Sequence, residues 1–120
     1  MVSEENEKLE NKLFALQVQY VEGIAGRLQE IEDGWAEMAR RIDDGRREYT
    51  IRKVHGLAGS GGIYGFSAIT EAAKIFERKL VEIRESGSLP SCEQVEEGQT
   101  RLDNLCQAVQ DCIREVQAQD

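Results

Sequence analysis

Residues 13–42 read LFALQVQYVEGIAGRLQEIEDGWAEMARRI, and the spacing of their apolar side chains decides the fold class. Leu13, Leu16, Tyr20, Ile24, Leu28, Ile31, Trp35, Met38 and Ile42 recur in steps of three and four. Residues at those steps share one face of an α-helix, so the pattern draws a single apolar stripe. Unbroken, such a helix would run ~45 Å at ~1.5 Å per residue. That is long for a chain of 120 residues, so a break into a short first helix and a second one is expected between Leu16 and Tyr20. Asp43-Asp44-Gly45 closes the segment.

Downstream the same period continues. A helix is expected from near Arg46, with Ile51, Val54, Leu57 or Ala58, and Gly61 inward. Gly65-Phe66-Ser67 reads as a turn, with Ser67 as the N-cap of the next helix. Ile69, Ala72, Ala73, Phe76, Leu80 and Ile83 form that helix's stripe, and residues 86–90, SGSLP, end it. A last helix is expected from about Ser91, burying Val95, Leu102, Leu105, Val109, Ile113 and Val116. Short loops make sequential helices antiparallel neighbours. The fold expected is all-α: an up-and-down antiparallel four-helix bundle with an extra short N-terminal helix or extension, forming one domain over residues 1–120.

Composition excludes several partners. The net charge of −8 argues against nucleic acid, whose phosphates need a basic surface, and against anionic membranes. No run of about 20 apolar residues is present, so no membrane span is expected. The acidic, polar start MVSEENEKLENK is unlike a secretory signal. Cys92, Cys106 and Cys112 match no zinc or redox spacing and read as small residues in a reducing cytosol. A cytoplasmic location and no metal site are the resulting expectations.

The chain's one histidine, His55, precedes five glycines, Gly56, Gly59, Gly61, Gly62 and Gly65, in the stretch VHGLAGSGGIYGF of residues 54–66. Interior helical glycine costs ~1 kcal/mol relative to alanine, so packing or function must offset the cluster. Side chains advance ~100° per residue, which puts His55 at the edge of the buried stripe and open to solvent. Arg52 and Gly59 lie one turn to either side of it, and Glu48 and Gly62 two turns away in the same sector. Gly59 and Gly62 form a shelf without side chains, where a partner helix or loop can approach the imidazole. Lone helical histidines are commonly surface residues without chemistry, and glycines often only let helices pack closely. Gly61 and Gly65 fit that plain explanation, whereas Gly59 and Gly62 do not face the core.

Other chemistries fit poorly. A dinucleotide loop would need its third glycine where Tyr64 stands, and a Walker loop needs a lysine, none of which occurs between Lys53 and Lys74. Ser60 falls on a different helix face from His55, and no second histidine is present to act as a base. Asp43-Asp44 and Glu96-Glu97 read as solvated charge.

His55-Gly56-Leu57-Ala58-Gly59-Ser60, followed by Gly65, resembles the signature of histidine-containing phosphotransfer (HPt) domains, roughly H-x-L-K-G-S/A with a later glycine. Ala72, Ala73, Phe76 and Leu80 resemble the apolar positions of that family's next helix, and the resemblance covers about residues 15–115. It implies a four-helix bundle in which His55 accepts a phosphoryl group, usually on Nε2, and exchanges it with an aspartate of a response-regulator receiver domain. Arg52, Gly59, Gly62, Ala58 and Glu48 would be the docking residues. The implied partners are receiver domains and a hybrid histidine kinase. No cofactor of its own is implied, since the receiver supplies Mg²⁺. With no ATP-binding signature, the chain reads as a monomeric relay, not a kinase or other enzyme.

One departure stands out: the family's lysine three residues after the histidine is replaced by Ala58. Arg52 is the sequence's candidate to supply the missing charge. Arg40, Arg41, Arg46, Arg47, Arg52 and Lys53 gather before His55 and suggest a basic rim that steers an acidic receiver. The alternatives are a docking module that binds receiver or kinase domains without phosphotransfer, the related N-terminal domain of chemotaxis kinases, and a structural protein that dimerises through the 13–42 stripe.

Overall fold

The computed structural model describes residues 3–119. Four helices follow one another: α1 (Glu4–Arg40), α2 (Asp44–Ile63), α3 (Ser67–Ser86) and α4 (Cys92–Ala118). Each packs against its sequence neighbours, and α1 also meets α4, which closes an antiparallel bundle. The helix starts are set by side chains. Asp43 caps α2 by accepting from the Arg46 amide at 3.0 Å. Ser91 and Gln94 form a reciprocal capping box at the start of α4.

α1 differs from expectation at its start. It is one continuous helix of 37 residues, with no break between Leu16 and Tyr20. Gly23 and Gly26 have open space where a side chain would sit, so they face outward and leave the buried stripe intact. At ~1.5 Å per residue α1 is ~55 Å long and accounts for the molecule's 57 Å long axis. The N-terminal extension is therefore the overhanging start of α1.

Ser67 is not a cap either. Phe66 is the N-cap residue of α3, and no side chain bonds the helix start. The preceding turn explains this. Gly65 has φ +83°, a left-handed conformation that favours glycine. The Phe66 amide then reaches the Gly61 carbonyl at 2.7 Å, and the Gly65 amide reaches that of Gly62 at 3.2 Å. This Schellman closure of α2 carries the chain straight into α3 with Phe66 buried.

The core runs the length of the bundle. Ile24, Ile31, Leu57, Ile69, Phe76, Leu80 and Leu105 are fully enclosed, each burial contributing ~1.5–3 kcal/mol. Both Leu57 and Ala58 face inward, so α2 buries a wider face than one stripe. The outer end of the Trp35 six-membered ring packs against Gly98 of α4, and the indole N–H donates to Gln99 at 3.0 Å. Of the 13–42 stripe, Ile24 to Met38 are committed to this core, and Leu13, Leu16 and Ile42 stay exposed.

Arg47 departs from the expected basic rim. It is wholly buried, donating to the Ser88 carbonyl at 2.7 Å and to that of Ile83 at 3.5 Å. Its Nε has no partner. It fastens the start of α2 to the end of α3, where Gly87 caps α3 in the left-handed region.

Candidate functional site

The glycine-rich half of α2 faces α3 across a tight turn, so the two helices pair as a hairpin. Residues equally far from Phe66 stand opposite one another. Glu48 and Arg84, each eighteen residues away, are joined at 2.9 Å. His55 and Glu77, each eleven away, meet with Nδ1 3.0 Å from a carboxylate oxygen. A Cβ placed on Gly62 would lie 3.4 Å from the Thr70 hydroxyl, and these two are each four away.

The His55 side chain is 76% exposed. It stands at one end of an open groove of about 450 Å³ between α2 and α3. His55, Ala58, Gly59, Gly62 and Ile63 line it from α2, with Thr70 and Lys74 from α3. Thr70 ties the two walls together by donating to the Ala58 carbonyl at 2.6 Å. Ile63 is 77% exposed, an unusual apolar presence at the rim. Nothing lies within 4 Å of where a Gly59 side chain would sit, so that stretch of helix offers bare backbone.

Glu77 decides what the imidazole does. A carboxylate accepts hydrogen bonds, so its place at Nδ1 favours the tautomer with the ring hydrogen on Nδ1 and the lone pair on Nε2. The ring is thus held by one nitrogen, and among the described residues the other has no hydrogen-bond partner.

The sequence's candidate residues divide accordingly. His55, Gly59 and Gly62 come together as expected. Ala58 is corrected from a surface contact to a floor residue: it is 4% exposed and reaches the groove only from below. Glu48 is spent on Arg84 and does not line the groove. Arg52 is exposed and also lies off the groove. The basic rim is thinner than its sequence suggests, because Arg40 and Arg41 pair with Glu37, Lys53 pairs with Glu30, and Arg47 is buried.

Sequence reasoning missed Glu77, Lys74, Thr70 and Ile63. The usable signal was the turn: counting outward from Phe66 pairs His55 with Glu77.

Competing chemistries find little support here. Burial pushes the Cys106 and Cys112 thiols up to about 11, with Glu32 adding to the effect at Cys106 and Glu115 at Cys112. These thiols stay protonated and are poor nucleophiles. Ser60 is engaged with the Tyr20 hydroxyl at 2.9 Å and Arg27 at 3.3 Å, facing α1 and not His55. Burial raises the Tyr20 pKa, so that hydroxyl stays neutral. Among the described residues, no three His, Cys, Asp or Glu side chains cluster as a metal site, and no helix is long and apolar enough to cross a membrane.

The structure is a helical bundle with a solvent-facing imidazole beside a bare stretch of helix, on an open surface groove. The sequence pattern of the Hpt domain family matches residues 15–119, and the chain belongs to that family. The family's role is histidine phosphotransfer in phosphorelays, as phosphocarrier modules working with receiver domains and kinases. No curated protein and no solved structure matches the chain.

Proposed function

We propose that this chain is a phosphorelay intermediate that takes a phosphoryl group onto His55 Nε2 from the aspartyl phosphate of a receiver domain and exchanges it with another. The observation that carries this reading is the His55–Glu77 bond at 3.0 Å on an otherwise exposed ring. In the forward step the Nε2 lone pair forms a bond to phosphorus. The bond from phosphorus to the aspartate oxygen breaks, and its electron pair leaves with the carboxylate. The ring becomes cationic as Nε2 is substituted, and Glu77 stabilises that charge through the Nδ1 hydrogen before the proton passes to solvent. The reverse step returns the group to an aspartate.

Phosphoryl transfer asks mainly for in-line positioning and charge neutralisation. The groove supports the positioning. Bare backbone at Gly59 and Gly62 permits close approach, and exposed Ile63 offers an apolar contact. In this reading residues 1–120 work as one monomeric cytoplasmic module, and the receiver brings the aspartate and its Mg²⁺.

The test is incubation with phosphorylated receiver domains, followed by intact-mass and peptide mass spectrometry. One phosphoryl group on His55 is expected, with none on His55→Gln. Modification confined to another side chain would sink the proposal.

A further inference from the structure

We propose that Lys74 is the cation that steadies the phosphoryl group on His55, from across the groove, in place of a lysine at position 58. The inference rests on the phosphocarrier reading above.

The hairpin register carries the argument. Three pairs equidistant from Phe66 are in contact: Glu48 with Arg84, His55 with Glu77, and Gly62 with Thr70. The same count sets Lys74 opposite Ala58, each eight residues from Phe66. Lys74 also sits between the two nearest observed contacts on its own helix, four residues after Thr70 and three before Glu77. Residues at those steps share a helix face. Lys74 and His55 line one groove, and among the described residues no other lysine or arginine lines it.

Its ammonium is also free. Arg84 is held by Glu48 and Glu85, Lys53 by Glu30, and Lys79 by Glu82 and Glu97. Among the described residues no carboxylate lies within 4.0 Å of the Lys74 nitrogen. The electrostatic need is clear. A phosphoryl group brings about one to two negative charges near neutral pH. Here it would arrive beside the Glu77 carboxylate, which repels it. Ala58 supplies no charge, so the opposite wall must. A lysine on a flexible four-carbon stem suits that task, since it acts as a mobile point charge. Arg52, one helical turn before His55, lies outside the groove, as does Lys53.

The experiment is partner-independent. The full chain is phosphorylated with phosphoramidate, which transfers its phosphoryl group to the imidazole and releases ammonia. Phosphorus NMR then follows the last ionisation of the phosphohistidine against pH in wild type, Lys74→Ala, Lys74→Arg and Arg52→Ala. Removing a nearby cation makes the dianion harder to form. Lys74→Ala should weaken that ionisation by about three- to tenfold, the size of one charge at a solvent-screened distance of several ångströms. Lys74→Arg should restore it, and Arg52→Ala should leave it at the wild-type value. A purely structural role for Lys74 would not move this titration. An unchanged titration in Lys74→Ala, or a shift in Arg52→Ala instead, overturns the inference while leaving His55 as acceptor. Failure of phosphohistidine from phosphoramidate to pass to any receiver, with the Lys74 shift present, overturns the relay reading alone.

Discussion

Glu77 holds His55 by Nδ1 at 3.0 Å, and the two residues are equidistant from the Phe66 turn that joins their helices. One hairpin therefore supplies both the proposed nucleophile and the carboxylate that engages its Nδ1. A hydrogen-bond partner on one ring nitrogen fixes which nitrogen stays free, so in the proposed mechanism the reactivity of Nε2 depends on a residue twenty-two positions downstream.

Removing that partner should cost rate more than structure. Glu77→Ala is expected to slow phosphoryl transfer about tenfold or more, because the ring samples the other tautomer and loses stabilisation of its developing charge. Glu77→Gln retains an accepting oxygen and should fall between the two. Rapid-quench kinetics with a phosphorylated receiver gives the rates. Nitrogen-15 shifts of the His55 ring report the tautomer. Wild-type rates together with a wild-type ring spectrum in Glu77→Ala would remove Glu77 from the mechanism.

The glycines should separate into two kinds. Gly59→Ala meets open space in a helix interior and should stabilise the fold by ~0.5–1 kcal/mol. The same change places a methyl group on the docking ridge and should slow transfer. Gly98→Ala drives a methyl group into the Trp35 ring and should destabilise by ~1–3 kcal/mol through overpacking. Urea denaturation midpoints compare the three proteins. Equal midpoints for Gly98→Ala and wild type would contradict the packing described at the α1–α4 contact.

Lys79 offers a pH signature. Its side chain is enclosed between Glu82 and Glu97, and hydrogen bonds to those carboxylates raise its pKa above the ordinary 10.5. Lys79 in turn lowers the pKa of Glu82 below 4.5. A lowered carboxylate stabilises the fold above pH 4.5 and loses that contribution as pH falls through its folded value. A raised ammonium stabilises below pH 10.5 and loses its contribution as pH rises through its folded value. The melting-temperature gap between wild type and Lys79→Met should therefore be widest between these limits and narrow at both extremes. Calorimetric scans from pH 3 to 11 measure it, and a gap that stays flat at both ends would exclude the ion pairs as its source.

Much of this molecule was legible in the chain. The stripes from Ile24 to Met38 and from Ile69 to Ile83 fixed helices and core faces, because burial in a bundle imposes the helical period directly. The exposure of His55 followed from the same geometry. What stayed hidden depended on contacts between helices. Gly23 and Gly26 looked like a weak point, yet their outward direction leaves α1 unbroken. Ser67 looked like a cap, but the Gly65 turn delivers the chain one residue earlier. Arg47 looked like surface charge, and its burial depends on carbonyls thirty-six and forty-one residues away. Glu77 and Lys74 flank an apolar stripe as ordinary boundary charges do. Only the hairpin register gives them a place beside the imidazole.

The Arg47 clasp has a mechanical consequence. It ties down the α2–α3 pair at the end away from Gly65, while the Schellman closure ties the near end. His55 stands close to midspan of α2, where neither helix is free to splay. The proposed acceptor nitrogen is consequently carried on a beam pinned at both ends, and in the proposed relay adjustment during an encounter would fall mainly to the visiting molecule.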